Sequence, residues 1–178
     1  MKQISAPASL TGAPLAELKR WLSISVADED EFLASLIAGA LALCERFTGI
    51  VPFKCEVRET IPCRTTPHVL AATPVISLIE TKAVAGLDER ILTPAEFDFS
   101  TDGAGGASLA LLASIAEPQV ELLYYAGLAS EWEDLDEGLR QGVIRHAAHL
   151  FREREQGDAG QLPASIAALW RPWRRLRL

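Results

Sequence analysis

The apolar residues of this sequence change their spacing twice, from a helical period to an alternating one and back. They recur every three or four positions from Leu15 to Phe47, alternate in short stretches between Cys55 and Tyr125, and recur every three or four again after Leu139. The first kind of spacing buries a stripe of a helix, and the second buries one face of a strand. The sequence therefore predicts an α+β fold, with N-terminal and C-terminal helices packed together and a small, mostly antiparallel β segment between them.

The predicted elements fit one domain over residues 1–178. We expect helices within about 14–49 and about 137–170, with a β-rich insert at about 53–126. The last helix is expected to be short and to end before Pro172, which cannot continue it.

Capping residues predict several helix ends. Asp28, with Glu31 three residues later, has the spacing of a capping box, and the second helix is expected to run from about Asp30 to Thr48. Gly49 is expected to end that helix in a left-handed conformation. Asp134 or Asp136 is expected to cap the third helix.

Two hairpin turns are predicted in the β segment. The first is Ala85 to Asp88, and the second is the glycine-rich loop from Thr101 to Gly106. Gly103, Gly105 and Gly106 lack the Lys and Ser or Thr that follow in a phosphate-binding loop, so a hairpin tip is the better interpretation. Because such tips are exposed, we expect them to contact a neighbouring subunit or another protein.

Charge and composition exclude several classes of function. The chain has 17 basic and 24 acidic residues, a net charge of -7, which argues against a protein that coats nucleic acid. The N-terminus has no signal-peptide pattern, and no apolar run is long enough for a membrane span. We therefore expect a protein made in the cytoplasm, with no membrane partner.

No cofactor, metal or catalytic site is predicted. Cys44, Cys55 and Cys63 form neither a disulfide framework nor a zinc pattern. His146 and His149 are spaced by three, whereas a zinc pair on one helix is usually spaced by four. His68 has no nucleophile in a recognisable motif beside it. The sequence indicates a protein that is not an enzyme.

Two oppositely charged segments indicate contacts with other proteins. Glu131, Glu133 and Asp134 lie in an acidic stretch before the third helix, and we predict contacts there with other proteins or with copies of this chain. The C-terminus interleaves tryptophans with arginines, residue types that are enriched at the centres of interfaces. The residues predicted to dock on a partner are Trp170, Arg171, Trp173, Arg174, Arg175 and Arg177. The alternative is that Trp170 and Trp173 cover the subunit's own core.

Several segments, taken in order, resemble the head-tail connector (adaptor) proteins of tailed phages and phage-derived gene transfer particles. The segments are 14–22, 28–49, 55–60, 74–79, 120–127, 141–155 and 162–174. Val120 to Gly127 is similar to the family's strand ending in Tyr-x-Gly, and Leu169-Trp170-Arg171-Pro172-Trp173-Arg174 is similar to its closing Leu-x-x-Pro-Tyr-Arg. The acidic approach to the third helix departs from the family, in which a Val-Pro or Ile-Pro start is common.

The resemblance implies a structural ring subunit without catalytic residues. About twelve copies would join the portal of a phage-like capsid to a stopper or tail-completion protein at the head-tail junction, after synthesis in the bacterial cytoplasm. DNA would pass through the ring lumen only as cargo. The alternatives are a DNA-packaging accessory protein, against which the net charge argues, and a small metal-dependent enzyme subunit that uses His68, His146 or His149.

Overall fold

The structure, a computed structural model, describes residues 2–5, 10–153 and 162–174. The chain forms two compact units. The β unit comprises Met1–Pro7 and Lys54–Leu128, and the helical unit comprises Ala8–Phe53 and Ala129–Leu178.

Among the described residues, four α-helices from both ends of the sequence form the helical unit. They are α1 (Ala13–Leu22), α2 (Asp30–Thr48), α3 (Glu137–Glu153) and α4 (Ala164–Trp170), and a 3₁₀ turn follows at Arg171–Trp173. Leu18, Leu33, Ile37 and Val143 are fully buried members of one apolar core between them. The predicted packing of N-terminal with C-terminal helices is confirmed, because the apolar stripes of α2 and α3 face each other in this core.

The predicted helix caps are confirmed at two ends and wrong at one. Gly49 ends α2 with φ 74°, and the Asp136 carboxylate accepts a hydrogen bond from the Gly138 N–H at 2.8 Å, at the start of α3. The predicted bounds of α2 are confirmed, but the capping box at Asp28 is wrong, because Glu29 occupies the N-cap position and no side chain caps the helix there. The Asp30 carboxylate instead binds the Lys19 ammonium of α1 at 2.6 Å, a partner that local spacing could not reveal.

In the part of the β unit that the structure describes, eight strands form two antiparallel sheets. The larger sheet has the order β1-β2-β8-β4-β5, and the smaller has the order β3-β7-β6. The strands are β1 (Lys2–Ser5), β2 (Cys55–Pro62), β3 (His68–Val69), β4 (Val75–Ala85), β5 (Asp88–Ile91), β6 (Phe97–Thr101), β7 (Ala107–Leu111) and β8 (Gln119–Ala126).

The α+β class and both predicted hairpins are confirmed. Ala85 pairs with Asp88 at the end of the β4–β5 hairpin, and Thr101 pairs with Ala107 across the glycine-rich loop. The first element is not a helix, however, because β1 precedes α1 and pairs with β2. Four residues are too few for an alternating pattern to show in the sequence. Among the residues that the structure describes, no helix has the length and apolarity needed to cross a membrane.

Candidate functional site

The C-terminal tryptophan Trp170 is part of the core of the helical unit. Its side chain is completely buried, and its indole N–H donates to the Leu139 carbonyl at 3.2 Å. Its ring lies 6.0 Å from that of Phe47, between centroids. Docking and a core role were the two predictions for Trp170. Its burial in this subunit favours the core role, since a completely buried side chain offers no surface to a partner.

A glycine makes room for this tryptophan. A Cβ added to Gly142 of α3 would overlap the Trp170 ring, with its Cε2 at 2.7 Å and its Cδ1 at 2.8 Å. Gly142 thus has a packing role that outweighs its unfavourable helix propensity.

The arginines beside Trp170 point to the surface. The side chains of Arg171 and Arg174 are exposed, and Trp173 is half-buried against the core. The Arg174 guanidinium lies 5.7 Å from the centroid of the Phe47 ring, a cation–π contact. Arg175 and Arg177, which were predicted to dock with them, lie outside the described residues.

The acidic segment before α3 alternates buried and exposed side chains. Glu131, Glu133 and Asp134 are exposed, while Trp132 is 5% exposed and packs into the core. The Trp132 indole N–H donates to the Glu17 carboxylate at 2.8 Å, and its ring stacks on Phe53. The contacts of Trp132 fix this segment so that the carboxylates on either side of it lie at the surface, where a basic partner can bind them.

The glycine-rich loop is more tightly bound than a free tip would be. The Asp102 carboxylate accepts hydrogen bonds from the Ala104 N–H at 2.9 Å and the Gly106 N–H at 2.6 Å. The Gly105 carbonyl accepts one from the Val75 N–H at 2.8 Å, and Gly105 adopts φ 83°. Gly106 is buried and Gly105 half-buried, so Gly103 is the predicted contact residue that faces solvent.

Two of the three histidines lie beside a carboxylate, and the third, His146, is buried beside His149 with 6.3 Å between the ring centroids. His146 is buried, and its Nδ1 has no hydrogen-bond partner among the described residues. Burial, and secondarily His149, lowers the pKa of His146. His149 lies 3.0 Å from the Glu153 carboxylate. Within the described ranges, no group of three or more His, Cys, Asp or Glu side chains is arranged to hold a metal ion.

The cysteines are free and poorly suited to nucleophilic chemistry. Cys44 and Cys55 are buried, and Cys63 is half-buried. Burial raises the pKa of Cys44 to about 12, and burial also raises the pKa of Cys63 above its ordinary value. A thiol that stays protonated at neutral pH is a weak nucleophile.

A buried carboxylate in β2 was missed by the sequence reasoning. Glu59 is 4% exposed, and its Oε2 accepts hydrogen bonds from the Tyr124 hydroxyl at 2.6 Å and the Ala71 N–H at 3.0 Å. Its Oε1 lies 3.2 Å from His68 Nε2. Burial, with the Glu59 hydrogen bond, raises the pKa of Tyr124. An acid in the apolar alternation of β2, between Val57 and Ile61, was the signal that could have revealed this network.

Three solved structures with similar folds come from one kind of particle. A chain in the neck of an empty GTA particle, computed with C6 symmetry, is 24% identical with a TM-score of 0.80. A chain in the virion of a native gene transfer agent particle is 23% identical with a TM-score of 0.80. A chain in the neck of the native GTA particle, computed with C12 symmetry, is 25% identical with a TM-score of 0.79. Each match covers 100% of this chain and 97% of the other.

These matches confirm, at the level of the fold, the resemblance to phage head-tail connector proteins. No protein-family model matches the chain. No curated protein matches it in sequence.

Proposed function

We propose that this chain is a structural component of the neck of a phage-like particle, such as a gene transfer agent, located at the head-tail junction. The observation that carries the proposal is the match, over the full chain, to neck chains of GTA particles. The surfaces described above support a binding role rather than catalysis, because their charged groups are spread over exposed segments instead of converging on a cleft.

In the proposed assembly, about twelve copies form a ring between the portal and a stopper or tail-completion protein. One of the neck structures with this fold was computed with C12 symmetry and another with C6 symmetry. A ring of identical subunits needs two different complementary surfaces on each copy. The exposed carboxylates at Glu131, Glu133 and Asp134 supply one charged surface for such contacts.

The location is tested by imaging particles from cells that produce this chain. Averaged images should show a ring of this chain between head and tail, and particles made without the chain should carry heads that lack joined tails. Finding the chain in the capsid shell or at the tail tip instead would overturn the proposal.

We propose the exposed arginines after α4 as the portal-docking residues, with an acidic portal surface as their partner. R171E should weaken capture of the purified chain by its portal at least tenfold. R152E is the matched control, because Arg152 is an exposed arginine of α3 in the same unit. Equal losses in both variants would show a general charge effect and contradict docking through Arg171.

DNA is proposed to be a passing cargo only. A net charge of -7 per subunit gives the ring a wall to which a polyanion does not adhere. Duplex DNA binding by the isolated chain should be undetectable in a mobility-shift assay near physiological salt. Tight binding that weakens steeply with added salt would favour a DNA-packaging accessory instead.

A further inference from the structure

One face of the five-stranded sheet carries exposed apolar side chains. In β8, Val120, Leu122 and Tyr124 are completely buried, so the alternate residues Leu123 and Tyr125 lie on the opposite face, here called the outer face. Both are half-buried. The outer face is therefore the side of the sheet that a partner can reach.

Two bulges in β4 add isoleucines to this face. The pairing of β4 with β8 shifts register between Val75 and Ser77 and again between Leu78 and Glu80, which makes Ile76 and Ile79 the extra residues. Their exposed fractions are 50% and 45%. Ile76, Ile79, Leu123 and Tyr125 together are called the bulge stripe.

The β4–β5 hairpin, here called the arm, presents a second apolar surface. Leu87 at its turn has an exposed fraction of 101%, and Ile91 of β5 has one of 62%. Asp88 and Glu89 beside them are also exposed. Arg90 holds the arm in place, since its guanidinium binds Glu96 at 2.7 Å and Glu117 at 3.1 Å. A fully exposed leucine on a fixed hairpin is a protrusion suited to insertion into an apolar surface.

The tip of the arm, at Leu87, cannot reach the bulge stripe of its own subunit. Leu87 follows the end of β4 opposite to the bulges, and the strand between Ile79 and Ala85 spans about 20 Å. Ile91, which pairs with Lys82, lies nearer to the stripe.

At the arm tip Asp88 is exposed, whereas Glu89 is bound by Lys82 at 3.2 Å. The exposed Lys54 stands beside the stripe, with its ammonium 5.1 Å from the Tyr125 ring, and its charge is opposite to that of Asp88. Two different, complementary surfaces on one chain are what a head-to-tail contact between copies requires.

We propose that the arm of one copy docks on the bulge stripe of the next copy, with Leu87 packed between Ile76 and Ile79 and the acidic tip facing Lys54. This inference rests on the proposed ring function. It specifies which surfaces of neighbouring subunits are in contact. The edge strand β5 and the bulges of β4 then lie in the subunit interface.

Cysteine cross-linking in assembled particles tests this contact. Cells produce the chain with Leu87→Cys and Ile79→Cys in a Cys63→Ser background, and the particles are purified, oxidised and analysed on a non-reducing gel. Since these two cysteines cannot meet within one subunit, we expect a ladder of covalent dimers, trimers and higher multimers. Either cysteine alone should give no ladder. The matched control combines Leu87→Cys with Leu112→Cys, which is 62% exposed but follows β7 of the other sheet.

The outcomes separate this inference from the function on which it rests. Absence of the wild-type chain from the neck of the particles overturns the proposed function and the contact with it. If the chain is present in the neck, three results overturn the contact alone: no ladder, a ladder of equal strength in the Leu112 control, or dimers without higher multimers. Thermal unfolding checks that all variants fold, as is expected for substitutions at exposed positions.

Discussion

The helical unit and the β unit are stabilised in different ways. The helical unit gathers apolar side chains from both ends of the chain around one aromatic ring, that of Trp170. The β unit buries a carboxylate, Glu59, in a set of hydrogen bonds and leaves Leu87 and Ile91 exposed. The first unit thus depends on filled volume and the second on satisfied polar groups, so single substitutions should reveal two distinct kinds of loss.

The largest effect is expected at Trp170. W170A should lower the free energy of unfolding of the helical unit by about 3–5 kcal/mol, because it leaves a cavity and removes the bond to Leu139. Urea unfolding followed by circular dichroism measures this loss. W21A is the control, since Trp21 is 43% exposed and stacks on Arg145, and it should cost about 1 kcal/mol or less.

Truncation after Gln161 extends this test to the whole C-terminal segment. It removes Trp170 together with the buried Ile166, so cooperative unfolding should be lost. A truncated chain that unfolds as cooperatively as the full chain would instead show that the segment serves only for docking.

The next largest effect is expected at Glu59. E59A should destabilise the β unit by roughly 3 kcal/mol, because it leaves the Tyr124 hydroxyl and the Ala71 N–H buried without their acceptor. E59Q should lose less stability than E59A, since the oxygen of the introduced amide can still accept these hydrogen bonds. E56A, on the outer face of the same strand, should change stability by about 0.5 kcal/mol or less. Denaturant unfolding of the three variants ranks them, and equal losses for E59A and E56A would contradict the role of the buried network.

Two glycine-to-alanine substitutions should change the free energy of unfolding in opposite directions. In α2, Gly39 is exposed with nothing within 4 Å of an added Cβ, so G39A should stabilise the chain by about 0.5–1 kcal/mol through helix propensity. In α3, G142A should destabilise it by about 1–3 kcal/mol, because the added methyl group overlaps the rigid Trp170 ring. Midpoints of urea unfolding give both values. A stabilising G142A would mean that the ring has room to shift.

The smallest effect is expected from pH and concerns His146. Its pKa in the folded chain lies below the ordinary 6.5, so its neutral form favours folding at neutral pH. The stability that neutral His146 contributes is fully present above about pH 6.5. It is lost as the pH falls toward the lower pKa that His146 has in the folded chain. Wild type should therefore lose more Tm than H146Q between pH 7.5 and pH 5. The groups facing His146 are the Trp170 ring and His149, and the comparison with H146Q removes the contribution of other titrating groups.

Elements set by local pattern were predictable from the sequence, whereas features set by distant partners were not. The period of apolar residues predicted α2, α3 and both hairpins, and Gly49 and Asp136 predicted helix ends, because these depend on neighbours within a few positions. Asp28 failed as a cap because α2 starts at Asp30, which binds Lys19 in another helix. Glu59 is separated from Tyr124 by 65 positions, so its network has no local signature beyond an acid in an apolar alternation.

Residue type indicated candidate surfaces, but it could not give the orientation of their side chains. Alternating tryptophans and arginines predicted a docking segment at the C-terminus, yet composition cannot say which ring turns inward. The clue was Gly142, a residue without a side chain in the middle of a predicted helix, facing the position that Trp170 occupies. The bulges at Ile76 and Ile79 had no signature, since they arise from how β4 pairs with β8.

The bonds that Arg90 makes to Glu96 and Glu117 have a consequence for the speed and selectivity of assembly. These groups hold the arm before any partner arrives, so contact requires little further loss of conformational entropy. Backbone and side-chain hydrogen bonds from Thr93, with Arg90, lower the pKa of Glu96 to about 2, and the anchoring carboxylate therefore stays charged in mildly acidic surroundings. In the proposed ring contact, an arm held in this way meets the next copy with little rearrangement, and rigid partners distinguish a correct fit from a near miss more sharply than flexible ones do.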